Sequence, residues 1–372
     1  MKKNRRILST LIALVLFCAM TAATAFAAVP SSLTVDGNTE NGTINLTKYL
    51  VVDKDAPVPA ASFSFSLAPE TVEEGTETDA GIPVYTGSVV TDGTATVTFT
   101  NGDPTTDGAA DDGIANDGNK KYATGTAALS LAGASFTKPG VYRYGVTETT
   151  EGGAGLTVDR TKYIVDVYVG YDTVDGAEST DLSILQVIIK KDGPGDKSEI
   201  AFKNIFESQS LTVSKTVAGN MGDRTKDFSF TLNITADGKL SENTKITAVK
   251  TDQDGYTSEV TVTVGSDSAF TLKHGETLAV PGLPEETAYT VTETKDDDYT
   301  TTVDSTGTFD TTNNKVSNTV GSTGNTEAFT NTASKTVDTG IILDIAPYII
   351  IFVIAIVGAI LFFGRKRKKV TQ

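Results

Sequence analysis

Between residue 29 and about residue 206, apolar and polar positions alternate in short runs, and the runs are broken by Gly, Asp and Asn. Alternation with period two predicts half-buried β-strands, whose successive side chains point to opposite faces. TINLTKYL places Ile44, Leu46, Lys48 and Leu50 on one face, and ASFSFSL does the same for Phe63, Phe65 and Leu67. ATVTF, YRYGVTE, YIVDVYV and LSILQVII continue the series, and EIAFKNIF aligns Ile200, Phe202, Asn204 and Phe206. After a joint at residues 207–209 the series starts again. LTVSKTV carries Leu211, Val213, Lys215 and Val217 on one face, DFSFTL repeats the Phe-x-Phe of ASFSFSL, and KITAVK, EVTVTV and AFTLKHGETLAV follow. YTVTE and EAFTNTA then align Tyr289, Val291 and Glu293, and Phe329 and Asn331. The marks come in one order in both halves: Lys, Phe-x-Phe, Tyr-x-Val-Thr-Glu or a longer form of it, Phe-x-Asn. This is duplication of a whole domain and not a short repeat.

Many short strands with turn signals and almost no helical periodicity predict an all-β chain of two tandem immunoglobulin-like β-sandwich domains. The first is expected over 28–208 and the second over 209–335. Lys48 and Glu148 are 100 residues apart, Lys215 and Glu293 only 78. Much of the surplus is a Gly/Asp-rich stretch, residues 101–121, expected as a surface loop. Its acids do not follow the spacing of an EF-hand, so no metal site is assigned to it.

The two ends read as processing segments. Residues 1–27 have a basic start, an apolar core (LIALVLFCAM) and a small-x-small cleavage site at Ala25 and Ala27, as in a secretory signal peptide. The only cysteine, Cys18, lies in that segment, so the exported chain is expected to lack disulfides. With one histidine, His274, and no tryptophan, a zinc site, a cysteine nucleophile and an antibody-type Cys–Trp–Cys core are excluded. Residues 341–364 are apolar and expected as a transmembrane helix, and the basic tail 365–372 is expected to stay in the cytoplasm. Just ahead of the span stands TVDTG, residues 336–340. It resembles the sorting signals of Gram-positive surface proteins, in which a sortase cuts between a threonine and a glycine, here Thr339 and Gly340. Asp338 stands where the pilin variant of that signal has proline. The net charge of −16 includes the basic signal and tail, so the exported part is more acidic still. Such a surface argues against nucleic acid as a partner.

Glu148 and Glu293 each end an otherwise apolar strand face, a costly place for a carboxyl unless it is protonated or paired. Each half also has a lysine on the apolar face of its first strand and an asparagine on that of its last. Burial lowers the pKa of an amine and leaves a nucleophile. An acid beside it can hold a proton, hydrogen-bond the asparagine carbonyl and pass a proton to departing ammonia. Lys48–Asn204 and Lys215–Asn331 are thus candidate amide cross-links, with Glu148 and Glu293 as their catalysts and no cofactor.

LTVSKTVAGNMGDRTKDFSFTL, YTVTE, AFTNT and IAFKN resemble the Gram-positive major pilins with intramolecular isopeptide domains, of the streptococcal T-antigen type. The resemblance implies that Lys48, Glu148 and Asn204, and Lys215, Glu293 and Asn331, form two self-catalysed bonds. It also implies a covalent polymer of identical subunits, strung together by a sortase and attached to peptidoglycan on the surface of a Gram-positive cell. The intersubunit lysine is expected just ahead of the first domain's last strand, where Lys197 matches best and Lys190 and Lys191 are rivals. The alternative is a wall-anchored adhesin or minor pilin that stays monomeric and binds a host surface ligand.

Overall fold

The computed structural model describes residues 33–34, 42–108, 113–114, 118–174 and 177–333. Among them the regular elements are β-strands, with no helix. They form two units with separate apolar cores, one around Phe63, Phe65 and Phe202 and one around Phe230, Tyr289 and Phe329.

Each unit is built from two large sheets, and the first adds a two-stranded one, Leu33–Thr34 with Ser135–Phe136. In the first unit one sheet runs, in spatial order, Leu156–Thr157, Ile200–Phe206, Thr43–Asp53, Lys120–Ser130 and Thr105–Asp107. The facing sheet runs Ala177–Lys191, Lys162–Val174, Gly140–Glu148, Ala61–Pro69 and Thr94–Phe99, with Val84–Thr86 also paired to Gly140–Glu148. In the second unit the sheets are Thr257–Thr263, Lys245–Thr251, Thr277–Leu283, Gln209–Ala218, Asn325–Ala333 and Tyr299–Asp304, against Ser268–Leu272, Phe228–Ile234, Ala288–Glu293, Lys315–Thr319 and Thr308–Asp310.

Three relations position the candidate residues. The opening strand of each unit (Thr43–Asp53; Gln209–Ala218) pairs in parallel with its closing strand (Ile200–Phe206; Asn325–Ala333). Lys48 stands opposite Phe202 and Leu50 opposite Asn204; in the second unit the pairs are Lys215 with Phe329 and Val217 with Asn331. The glutamate strand lies in the other sheet, where Glu148 pairs with Phe65 and Glu293 with Phe230. Each carboxyl therefore crosses the core to meet the lysine and asparagine from the facing sheet.

Three features depart from the sequence pattern. AFTLKHGETLAV is not one strand: a turn at residues 273–276 divides it into Ser268–Leu272 and Thr277–Leu283, which belong to opposite sheets. Lys120–Ser130 is a full strand beside the opening strand, although its sequence is small and polar. Its Gly125 is required by packing, since a Cβ there would lie 2.3 Å from Val97 Cγ1. Finally, Gly140–Glu148 is buried on both faces, because Ile82, Val84 and Val141 form a small outer cluster over it.

The units touch at a defined joint. Asn101 donates from Nδ2 to the carbonyls of Val58 (2.7 Å) and Lys239 (2.9 Å), and its Oδ1 accepts the Ser241 N–H (2.8 Å). The Ala60 N–H also donates to the Lys239 carbonyl. Gly282, at φ 75°, rests on Ala56 so closely that a Cβ would fall 2.6 Å from its Cα.

Candidate functional site: two buried Lys–Glu–Asn clusters

All six polar residues singled out on apolar faces are buried, none more than 4 % exposed. In the first unit Lys48 Nζ donates to Glu148 Oε2 at 2.7 Å, and Asn204 Nδ2 donates to Glu148 Oε1 at 2.6 Å. In the second, Lys215 Nζ and Asn331 Nδ2 both donate to Glu293 Oε1, at 2.5 and 2.8 Å. In each cluster one carboxyl holds an amine and a carboxamide side by side.

The surroundings are apolar and aromatic. Lys48 Nζ lies 4.7 Å from the centroid of the Phe63 ring, and Lys215 Nζ lies 4.3 Å from that of Phe228. The strand alternation of Phe-x-Phe brings these rings under the amines. An aromatic face and a carboxylate both favour the ammonium form, but loss of water opposes it more strongly. Burial pulls both lysines down from 10.5 to about 8, against the pull of Glu148 and Glu293. A buried amine with that value is about half neutral near pH 8, and its neutral form is a nucleophile.

One detail differs from the expected arrangement. The glutamates meet the amide nitrogen of each asparagine and not its carbonyl oxygen. In the first unit the oxygen is engaged elsewhere, accepting the backbone N–H of Asp159 at 2.8 Å. The carboxyl thus lies between the lysine amine and the asparagine amide nitrogen and touches both.

A family model described as a Spy0128-like isopeptide containing domain matches residues 44–207, and a domain of unknown function, DUF7601, matches residues 209–333. A pilin of Streptococcus pyogenes serotype M1 is 31% identical over 359 residues, covering 93% of this chain and 96% of its own length. The chain belongs to the streptococcal major pilin family. As a pilin it is a structural subunit of a cell-surface pilus. A crystal structure of the major pilin from Streptococcus pyogenes aligns with a TM-score of 0.63 at 29% identity, over 79% of this chain and 99% of that one. A pilus tip adhesin, Cpa, of the same species is 40% identical over 96 residues, which is 26% of this chain and 13% of the adhesin.

Lys197 is exposed in the connection between Ala177–Lys191 and the closing strand of the pilin's first unit, held by a bridge to Lys190. Of its rivals, Lys190 is half-buried and 3.9 Å from Asp166, whereas Lys191 is exposed. Thr339 and Gly340, the signal peptide and the apolar span lie outside the described residues.

Several contributing residues were not foreseen. Asp159 braces the first cluster: its Oδ1 accepts the Thr161 N–H and its Oδ2 the Lys203 N–H. In the second, Thr301 Oγ1 donates to Glu293 Oε2 at 3.3 Å while accepting Asn314 Nδ2. His274 Nδ1 accepts the Val217 N–H. Glu327, fully buried, accepts the Tyr289 hydroxyl at 2.6 Å and Asn318 Nδ2 at 3.2 Å. The period of EAFTN carried a signal for this last residue, since Glu327 shares a face with Phe329 and Asn331.

Proposed function

We propose that the chain is a self-cross-linking shaft subunit, made of two tandem immunoglobulin-like sandwiches over 28–208 and 209–335. The Lys48 and Lys215 amines attack the side-chain carbonyl carbons of Asn204 and Asn331, ammonia leaves, and an amide bond closes each domain. Glu148 and Glu293 take a proton from the amine and pass it to the departing nitrogen. A dry core and a fixed approach supply the rate. The contact of amine, carboxyl and carboxamide in both halves carries this reading.

Each bond ties first strand to last. End-to-end tension then loads a covalent link instead of strand hydrogen bonds. By analogy with disulfides, closing loops of this length stabilises each domain by about 5 kcal/mol. A signal peptide exports the chain, a sortase cleaves between Thr339 and Gly340, and the threonine is joined to Lys197 of an identical subunit or to peptidoglycan.

Intact mass of the purified ectodomain tests the bonds: two closures lower it by ~34 Da, one ammonia each, and an unmodified mass refutes them. Polymerisation is tested separately. Cell-wall extracts should give a ladder of heat-resistant multimers that Lys197→Ala abolishes; a single band in both would point to a monomeric adhesin.

A further inference from the structure

The two clusters hold the same three side chains but support them differently. Asn204 Oδ1 receives the Asp159 N–H at 2.8 Å. That N–H can only donate, so it fixes the amide with its oxygen outward and its nitrogen on Glu148. The Asp159 carboxylate locks the loop in place by accepting the N–H of Lys203, the residue before Asn204. Asn331 Oδ1 is buried as well, yet among the described residues no group donates to it. The second cluster places its extra donor, Thr301, on the glutamate instead.

The chemistry makes this difference matter. When the neutral Lys48 amine attacks Cγ of Asn204, the carbonyl π pair moves onto Oδ1. One amine proton passes through Glu148 to Nδ2, the Cγ–Nδ2 bond breaks, the carbonyl re-forms, and ammonia leaves with Glu148 restored. Negative charge develops on Oδ1, where a fixed N–H at hydrogen-bond distance is worth most.

We propose that the backbone N–H of Asp159 is the oxyanion donor of the first cluster, that the second cluster lacks such a donor, and that the Lys48–Asn204 bond therefore forms before the Lys215–Asn331 bond. This rests on the cross-linking reading above. Removing one oxyanion donor slows acyl transfer on the order of 100-fold or more, which sets the expected lag.

The test follows both bonds in one molecule. The full chain is made by cell-free synthesis, quenched at intervals, digested, and its linked and unlinked peptides are quantified by mass spectrometry. The Lys48–Asn204 peptide should appear on the order of 100-fold sooner than the Lys215–Asn331 peptide. Replacing aspartate 159 by its α-hydroxy analogue exchanges the N–H for an ester oxygen and keeps the side chain. It should slow the first bond by that factor and leave the second at its original rate. Asp159→Ala, which keeps the N–H but loses the brace, should slow the first bond less. Should the ester chain fail to resist protease, Asp159→Ala decides alone: a slower first bond supports the proposal and an unchanged one overturns it. Equal rates for the two bonds in the unaltered chain, or an ester chain that links at full speed, also overturn it. If neither bond forms in the unaltered chain, the cross-linking reading itself fails.

Discussion

The first unit spends its additional hydrogen bond on the electrophile, through Asp159, while the second spends its own on the acid, through Thr301 and Asn314. The units differ again four residues before each asparagine. Ile200 fills that position in the first and the buried acid Glu327 in the second. Likewise, the hydroxyl of Tyr144 reaches Ser88 at 3.5 Å, whereas that of Tyr289 is held by Glu327 at 2.6 Å, which together with burial drives the Tyr289 pKa up. Both units keep the same three buried polar groups and differ in what supports them. The amine–acid–amide contact is therefore what the two units share, and the surrounding polar groups are where they differ.

The largest effect is expected from Glu148→Ala and Glu293→Ala. Each should remove one link and about 5 kcal/mol from its own domain, and should also leave a buried lysine without its carboxylate. Domain-resolved melting and intact mass would show whether the damage stays in one domain; loss of both links from either change would break the comparison. Next comes pH. Asn204→Ala and Asn331→Ala keep the Lys–Glu contact without an electrophile. Folding then holds the lysine near 8 against 10.5 when unfolded, so the unfolded chain binds more protons between those values. Stability of the unlinked domain should be lowest below about pH 8 and rise toward pH 10.5, by about 3 kcal/mol. Denaturant titrations across that range check the sign, and a fall with pH would contradict it.

Glu327→Leu should be smaller, costing the second domain about 2 kcal/mol by taking away the acceptor of the Tyr289 hydroxyl proton, with both links intact by mass. The first domain should not respond. The smallest effect belongs to Asn101→Ala, which removes one hydrogen bond within the first domain and two to the second and should cost each about 1 kcal/mol or less. It should nevertheless broaden the distribution of interdomain angles in small-angle scattering, with both links still formed.

The alternating strands, the division into two units and the burial of the six polar residues were legible because a period of two forces a strict choice of face, and Lys48, Glu148 and Asn204 fell on the apolar one. What supports them was not. The donor to Asn204 is a backbone N–H, which every residue but proline carries, so no side chain advertises it. Asn101 opens a stretch rich in Gly and Asp, and its composition reads as a turn whether or not its side chain clasps another domain. KKYATGTAALS hides a strand because only Ala123 and Leu129 within it are buried. The split of AFTLKHGETLAV at residues 273–276 was missed because both pieces alternate in the same way.

The parallel pairing of opening and closing strands has a geometric consequence. A chain whose first and last strands run the same way enters at one pole and leaves at the opposite pole. Antiparallel neighbours would return it to the pole where it began, and successive copies would crowd together. Here only two residues separate Phe206 from the next opening strand at Gln209, so the second unit continues from the exit of the first, like beads drilled through and threaded in line.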